Sequence, residues 1–526
     1  MFFGKKGFQL GLALLLGIVV LLLPRPEGTM FDITGDPDKL LINEIGQNFT
    51  VVDNGQQNDT SYRVKIIDPK GMYASGDTLK KLAEDLKLTD IEITYVDGLS
   101  PKSKRFLAVL IFLVVLFVLE PIPLEITAIC IGVFLVTMGV SDVKDAWAPY
   151  MNPVVVFIMC CLIFAISLEK AGLTKRLGYF IIRKAGTNIT KFTFVLAISL
   201  GYASAILHDA AACAIGIVTI LPLMRAASIE PHSNTAKFMM LSIPFACSCG
   251  GMGTLMGGGR CMVSAAFLKE FTGIEITFLD WMIYNMPIAL LTVPVAVCIV
   301  YLVFRPEPKI KLPEFDEVIG PLNAFEKKTL IIFGITLVLW MTKELHGIHY
   351  SVTGMLGVSA LVLSGALTWD DINEHLEWGT ALFIFGGGIS LGLAMGYSGT
   401  ANYFAYLFFP YIQGGGWLLL FAGVAVFGAL VTNAMANVAA AALILPIVIP
   451  MALLEGVDPR VLAMCLGTAT SFAMLLVIGC PPNAIAYSYR YFKSSDLTKV
   501  GIVATPVLLI ILIACVSIWW KILGLI

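Results

Sequence analysis

The sequence predicts an all-α polytopic membrane protein with two inverted repeats, each with a re-entrant hairpin and a broken helix, about eleven transmembrane helices in all, plus a small extracytoplasmic α/β domain. Three observations carry this prediction. The 526 residues are 58% hydrophobic and 14% charged, too apolar for a chain whose whole surface must meet water. Apolar runs of roughly 17–25 residues, each long enough to cross about 30 Å of hydrocarbon, recur along nearly the whole length. The two halves of the chain also carry the same interruptions in the same order.

Taken in order, Lys5 and Lys6 precede an apolar run, Phe8–Leu23, which ends at Pro24-Arg25-Pro26 without a small-residue cleavage pattern. Residues 1–24 therefore read as a signal anchor with a cytoplasmic N-terminus. Residues 25–103 are polar. Tyr62–Ile67 and Asp90–Val96 read as strands and Asp77–Leu86 as an amphipathic helix, a small α/β domain on the extracytoplasmic side. Asn48-Phe-Thr50 and Asn58-Asp-Thr60 fit the N-glycosylation pattern, which is short enough to recur by chance.

Repeat 1, residues 104–304, contains apolar runs at Phe106–Leu119, Leu124–Met138, Pro153–Leu168, Phe192–Met224, Phe238–Phe267 and Trp281–Phe304. A charged connector, 305–328, leads to repeat 2, residues 329–526. Its runs are Thr329–Met341, Ser351–Leu367, Gly379–Met395, Gly416–Leu453, Val461–Tyr489 and Val500–Trp520. Phe192–Met224 and Gly416–Leu453 are too long for one tilted helix and are expected to be hairpins that enter and leave on one side. Lys170, Lys175, Arg176, Arg183, Lys184 and Lys191 gather in one loop, and Arg305, Lys309, Lys311, Lys327 and Lys328 in the connector. Both are placed in the cytoplasm by the positive-inside rule. Lys102, Lys104 and Arg105 fall outside it, beside the long translocated segment where the rule is weak.

Aligning the halves is the most informative step. The first hairpin reads His208-Asp209-Ala210-Ala211-Ala212-Cys213-Ala214, with Leu221-Pro222 beyond it. The second reads Thr432-Asn433-Ala434-Met435-Ala436-Asn437-Val438, with Leu445-Pro446 at the same offset. A long interrupted span follows each, at Gly257-Gly258-Gly259-Arg260-Cys261 and at Gly479-Cys480-Pro481-Pro482-Asn483. Proline removes backbone donors and clashes with the preceding turn, and glycine weakens a helix through backbone entropy. Non-helical backbone persists at membrane depth only where it is buried in protein or lines a wet cavity. Its carbonyls then suit a cation, and half-helix N-termini suit an anion. Packing kinks are the plainer alternative.

At these residues the sequence resembles the divalent anion–sodium symporter family of the larger ion-transporter superfamily, over about 106–520. Glu120-Pro-Ile-Pro-Leu124-Glu-Ile-Thr127 resembles the family's opening motif, and Phe385-Gly-Gly-Gly-Ile-Ser-Leu391 its glycine-rich span. Gly250-Gly-Met-Gly-Thr-Leu255 and Gly479-Cys-Pro-Pro-Asn-Ala484 resemble the segments at its helix breaks. The resemblance implies an elevator-type secondary transporter, usually a homodimer, moving dicarboxylates, citrate, sulfate or related anions with sodium. It also implies a Ser-Asn-Thr motif at each hairpin tip. Here the matching positions read Ala212-Cys213-Ala214 and Ala436-Asn437-Val438, so only Asn437 is kept. The literal Ser233-Asn234-Thr235 lies in a polar loop, outside either hairpin.

The candidate substrate site is therefore His208, Asp209, Ala212, Cys213, Gly258, Arg260, Asn433, Asn437, Pro481, Pro482 and Asn483. The candidate sodium ligands are Asn433, Asn437, Gly479, Cys480 and Asn483, through side-chain and backbone carbonyl oxygens. Thr468, Thr470 and Ser471 lie upstream, as helpers or as packing. Intramembrane ionisable groups are costly and mark function. Arg260 either pairs with Asp209 where a relative would hold its first sodium, or faces the cavity and grips the substrate through its planar fork of donors. A structural staple is the plain alternative. His208 could add proton coupling or serve as a hydrogen-bonded scaffold residue.

Several classes are excluded or disfavoured. A net charge of −2 offers no field for nucleic acid, and no P-loop or dinucleotide fingerprint follows a strand. No organic cofactor is expected, with sodium as the coupling ion. The eleven cysteines all lie in apolar segments and indicate no disulfide framework. No nucleophile–base pair supports an intramembrane enzyme. An anion exchanger, or a sensor using 25–103, remains as an alternative.

Overall fold

The computed structural model describes residues 5–24, 30–34, 50–58, 61–67, 92–96, 99, 101–119, 121–173, 176, 186–307, 312, 320–376, 378–400, 403, 416–454 and 456–526. The chain divides into two compact units. The first comprises Met1–Pro149, Ile389–Leu420 and Pro446–Val457, and the second Tyr150–Gly388, Phe421–Leu445 and Asp458–Ile526. Each unit draws on both sequence halves, so the units are not the two repeats.

The first unit opens with helix α1, Lys5–Leu22, and a four-stranded antiparallel sheet of order β2-β3-β1-β4. The strands are β1 Met30–Thr34, β2 Thr50–Asn58, β3 Ser61–Ile67 and β4 Glu92–Val96. β3 and β4 are the two strands expected from the sequence, and β1 joins them, with Phe31 opposite both Val64 and Tyr95. The helix expected at Asp77–Leu86 lies outside the described residues. Helices α2, Pro101–Leu119, and α3, Leu124–Thr137, follow, then the short α4, Val143–Trp147. Gly17 lets α1 rest on α2, since a Cβ there would lie 3.3 Å from the Ala108 carbonyl.

The second unit holds α5 Pro153–Lys170, α6 Ile189–Leu207, α7 Asp209–Ala226, α8 Asn234–Gly250, α9 Gly259–Thr272 and α10 Phe278–Val303. Their ends are written in the sequence. Asn152 caps α5 by accepting from Val154 N at 2.9 Å ahead of Pro153, and Asn188 caps α6 through Lys191 N at 3.0 Å. Thr277 and Asp280 form a capping box on α10. Gly273, at φ 72°, ends α9 in the left-handed region.

The second half continues with α11 Ala324–Met341, α12 Lys343–His346, α13 Tyr350–Leu363, α14 Trp369–His375, a π-helical turn at Gly379–Ile384 and α15 Phe385–Tyr397. Then come α16 Gly416–Ala434, α17 Asn437–Leu454, α18 Pro459–Ala469, α19 Pro481–Ser488 and α20 Ser494–Ile522. Among the described residues six stretches are long and apolar enough to cross a membrane, and further apolar helices of 10–17 residues accompany them. Both overlong runs divide in two, at His208 and at Met435–Ala436. Each arm of the first, Ile189–Leu207 and Asp209–Ala226, is itself long enough to span.

Packing in the second unit depends on backbone touching backbone. A Cβ on Gly250 would fall 1.6 Å from the Gly201 carbonyl oxygen, so α6 and α8 meet with no side chain between them. Ser204 seals the crossing by donating to Gly201 O at 2.6 Å and Cys247 O at 2.9 Å. Trp281, Trp340 and Trp520 are fully buried. All eleven cysteines are free.

Candidate functional site

His208 separates α6 from α7 at φ 68° and ψ 142°, a region that L-residues other than glycine rarely occupy. Its Nδ1 accepts from Ala210 N at 3.4 Å, capping α7, and lies 3.3 Å from Asp209 Oδ1. Asp209, 1% exposed, donates its backbone N–H to Gly257 O at 2.9 Å. The first hairpin tip is thereby tied to the glycine break of its own half.

The break itself lies slightly earlier than the glycine run alone implies. α8 tightens to a 3-10 turn at Gly251–Gly253, Thr254 is extended, and the chain turns helical again at Gly259. Arg260 is thus the second residue of α9. Its guanidinium donates from Nη1 to Asp209 Oδ2 at 2.7 Å, from Nη2 to Ser248 O at 3.0 Å and from Nε to Ser471 Oγ at 2.8 Å. Arg260 is 1% exposed. All three nitrogens face protein acceptors, as a paired Arg260 and a structural staple both require. Ser471 stands in the 3-10 turn Thr470–Phe472 of the second half, so one side chain joins both breaks.

In the second half the unwinding precedes the prolines instead of including them. It runs from Ala473 through Cys480, with a 3-10 turn at Val477–Gly479. Pro481 and Pro482 begin α19, where a missing N–H and a fixed φ are tolerated. Asn433, in the last turn of α16, donates from Nδ2 to Ala429 O at 2.6 Å and accepts from Leu475 N at 2.6 Å. It ties the second tip to its break as Asp209 does in the first. Thr432 Oγ1 donates to Thr470 O at 3.4 Å.

Asn483 donates from Nδ2 to Ala473 O at 2.7 Å and Leu476 O at 3.3 Å, while its Oδ1 is buried without a hydrogen-bond partner. An unpaired buried carbonyl costs about 1–3 kcal/mol unless something answers it, and a small hard cation is one answer. Gly479 packs under the tip, since a Cβ there would lie 3.1 Å from Thr432 O. Cys480 Sγ lies 3.4 Å from Ser248 Oγ, and Cys213 Sγ donates to Pro482 O at 3.4 Å. Ala212 is buried, Asn437 opens α17 at 3% exposure, and Gly258 is the residue before α9. Among the described residues no three His, Cys, Asp or Glu side chains group around a metal position.

Ser233-Asn234-Thr235 has structural work elsewhere. Ser233 Oγ caps α8 by accepting from Ala236 N at 3.2 Å, and Thr235 Oγ1 accepts from Glu307 N at 3.0 Å. Sequence reasoning gave no role to Ser248 and left Ser471 undecided. The first contributes a backbone carbonyl, which has no sequence signature.

Residues 91–526 match the family described as the sodium:sulfate symporter transmembrane region. An uncharacterized transporter of Haemophilus influenzae is 27% identical over 436 residues, covering 80% of this chain and 92% of that protein. The sodium-dependent dicarboxylate transporter SdcS of Staphylococcus saprophyticus is 27% identical over 438 residues, covering 77% of this chain and 84% of its own. Among solved structures, MtrF of Neisseria gonorrhoeae aligns at a TM-score of 0.47 and 12% identity, over 98% of this chain and 94% of its own. The chain is a multi-pass membrane protein and belongs to the sodium:sulfate symporter family, the divalent anion–sodium symporters, whose members are transporters.

Proposed function

We propose that the chain is a secondary active transporter that moves a small anion, a dicarboxylate, sulfate or a related species, together with sodium by an elevator-type movement. One observation carries the reading. In each half a hairpin tip is hydrogen-bonded to a helix break, Asp209 to Gly257 and Asn433 to Leu475. Unwound backbone held this way at membrane depth is how transporters present carbonyls to cations and helix N-termini to anions. The dicarboxylate-transporting relative supports the substrate class.

In this reading the halves 104–304 and 329–526 are inverted repeats with re-entrant hairpins, about eleven spans in total. Residues 1–24 anchor the chain with a cytoplasmic N-terminus, 25–103 form an extracytoplasmic domain, and the working unit is a homodimer. Sodium sits in the second half, on Asn433, Asn437, Asn483 and the backbone at Gly479 and Cys480. The anion lies between the tips, near His208, Ala212, Cys213, Gly258, Pro481 and Pro482. Arg260, paired with Asp209, stands as a fixed positive charge in the first half.

That fixed charge favours a second reading, anion exchange without net cation coupling. Labelled-anion uptake and counterflow in proteoliposomes, with sodium replaced by choline, separate the two. Sodium-driven accumulation supports symport, counterflow unchanged by sodium supports exchange, and no anion movement in either condition rejects both.

A further inference from the structure

The cap that opens α13 works in only one protonation state. His349 Nδ1 accepts from Ser351 N at 3.2 Å and lies 2.9 Å from Ser351 Oγ. An acceptor at Nδ1 requires the neutral ring, with its proton on Nε2. Protonation sets a second N–H against that of Ser351, and the cap is lost. The turn it begins is a meeting point of helices. Tyr350 is buried, and its hydroxyl accepts from Phe278 N at 2.7 Å, where α10 starts. Its carbonyl accepts from Trp340 Nε1 of α11 at 3.2 Å, and its ring centroid lies 5.6 Å from that of Phe157 in α5.

His349 and Tyr350 also line a cavity of about 50 Å³, room for a few water molecules. Leu255, just past the extended Thr254 of the first break, and Met262 of α9 line it too, with Lys269 and Glu275. His349 is itself partly exposed, so protons from solution reach it. Around it, Glu275 is bonded to Lys343 of α12 and lies 3.4 Å from Lys269 Nζ, while Lys343 Nζ sits 4.6 Å from the Tyr350 ring centroid. Burial, then the Lys269 and Lys343 ammoniums, hold His349 below the ordinary histidine value of 6.5, with Glu275 opposing them. Asp280 and Glu344 are the further charges near Tyr350. The neighbouring His346 makes local bonds, to Ile348 N at 3.0 Å and Leu339 O at 2.8 Å.

We propose that His349 is an acid-operated switch on the wall of this cavity. Charging the ring releases the start of α13, the cavity beside the first break loses its shape, and transport slows. The effect on transport rests on the reading above, whereas the effect on stability does not. A folded-state value below the unfolded one makes the cap's contribution present above the ordinary histidine value and lost as pH falls beneath it. Full-length wild type, His349→Asn and His349→Ala are compared in proteoliposomes, with one buffer on both faces. Sulfate counterflow is read at about pH 7.5 and about pH 5, on either side of the histidine range, where sulfate keeps both charges. The wild type should slow by about fivefold, the equilibrium ratio that one lost cap is worth. His349→Asn, whose amide oxygen caps without titrating, should stay within about twofold, and His349→Ala should be slow at both values. Melts of the detergent-solubilised proteins should agree, with the wild-type midpoint falling further in acid than that of His349→Asn. An equal acid slowing in wild type and His349→Asn overturns the proposal, as does a wild type equally fast at both values. If sulfate does not move in any of them, the transport reading is at fault and the melts decide the switch. Equal acid losses in wild type and His349→Asn then overturn it.

Discussion

Arg260 Nη1 lies 2.7 Å from Asp209 Oδ2, and both side chains are almost wholly shielded from solvent. The pair joins the first broken helix to the hairpin tip of the same half. Two further bonds, to Ser248 O and Ser471 Oγ, complete the guanidinium's surroundings.

Removing one partner leaves the other as an uncompensated buried charge. Arg260→Ala is expected to destabilise the protein by about 3–5 kcal/mol, read as a lower midpoint in thermal unfolding of the detergent-solubilised protein. Arg260→Gln with Asp209→Asn should recover most of that loss. Any transport that survives in Arg260→Ala should depend more steeply on sodium, because a mobile cation then neutralises Asp209.

The glycine crossing gives a sharper contrast. Gly250→Ala would drive a methyl into the Gly201 carbonyl, whereas a Cβ on Gly334 meets nothing within 4 Å. Gly250→Ala should abolish the monodisperse peak in size-exclusion chromatography, and Gly334→Ala should leave it unchanged. Equal behaviour of the two would contradict the backbone-to-backbone contact.

His208 carries a testable strain. Its positive φ costs on the order of 1–3 kcal/mol in a non-glycine residue. His208→Gly is expected to match or exceed the wild-type melting temperature, while His208→Ala keeps the strain, loses the cap to Ala210 and melts lower. The comparison needs only thermal scans.

Asp371, in α14 outside the spans, has its carboxyl lowered to about 2 from an ordinary value of 3.8 by the hydrogen bond from Lys170, with Thr368 adding to it. A folded-state value below the unfolded one means the contribution is present above about pH 4 and fades as pH falls toward 2. The pair is partly exposed, so Lys170→Met should cost only about 0.2–1 kcal/mol at neutral pH. The difference from wild type should vanish in melts recorded at the acid end of that window.

The sequence made the interruptions legible because glycine and proline act locally. Gly257 to Gly259 and Pro481-Pro482 mark the two breaks to within a few residues, and His208 and Asn433 mark the tips. The strands at Tyr62–Ile67 and near Val96 were legible from alternation. Two contacts were not. Asn433 meeting Leu475 joins residues 42 apart, Arg260 reaching Ser248 O spans the whole break, and both use backbone groups that carry no residue signature. The prolines misled in one respect. Their incompatibility with a helix interior points to unwinding at Pro481, whereas a helix start welcomes them.

The order in which Arg260 finds its partners bears on how the protein is made. Asp209 lies 51 residues before it and Ser248 12 before it, whereas Ser471 comes 211 residues later. A ribosome delivers the N-terminal portion first. The charge can thus be neutralised while the remainder of the chain is still being threaded into the membrane, and the late hydroxyl only locks an arrangement already formed. Chains stalled before Ser471 should already hold the ion pair.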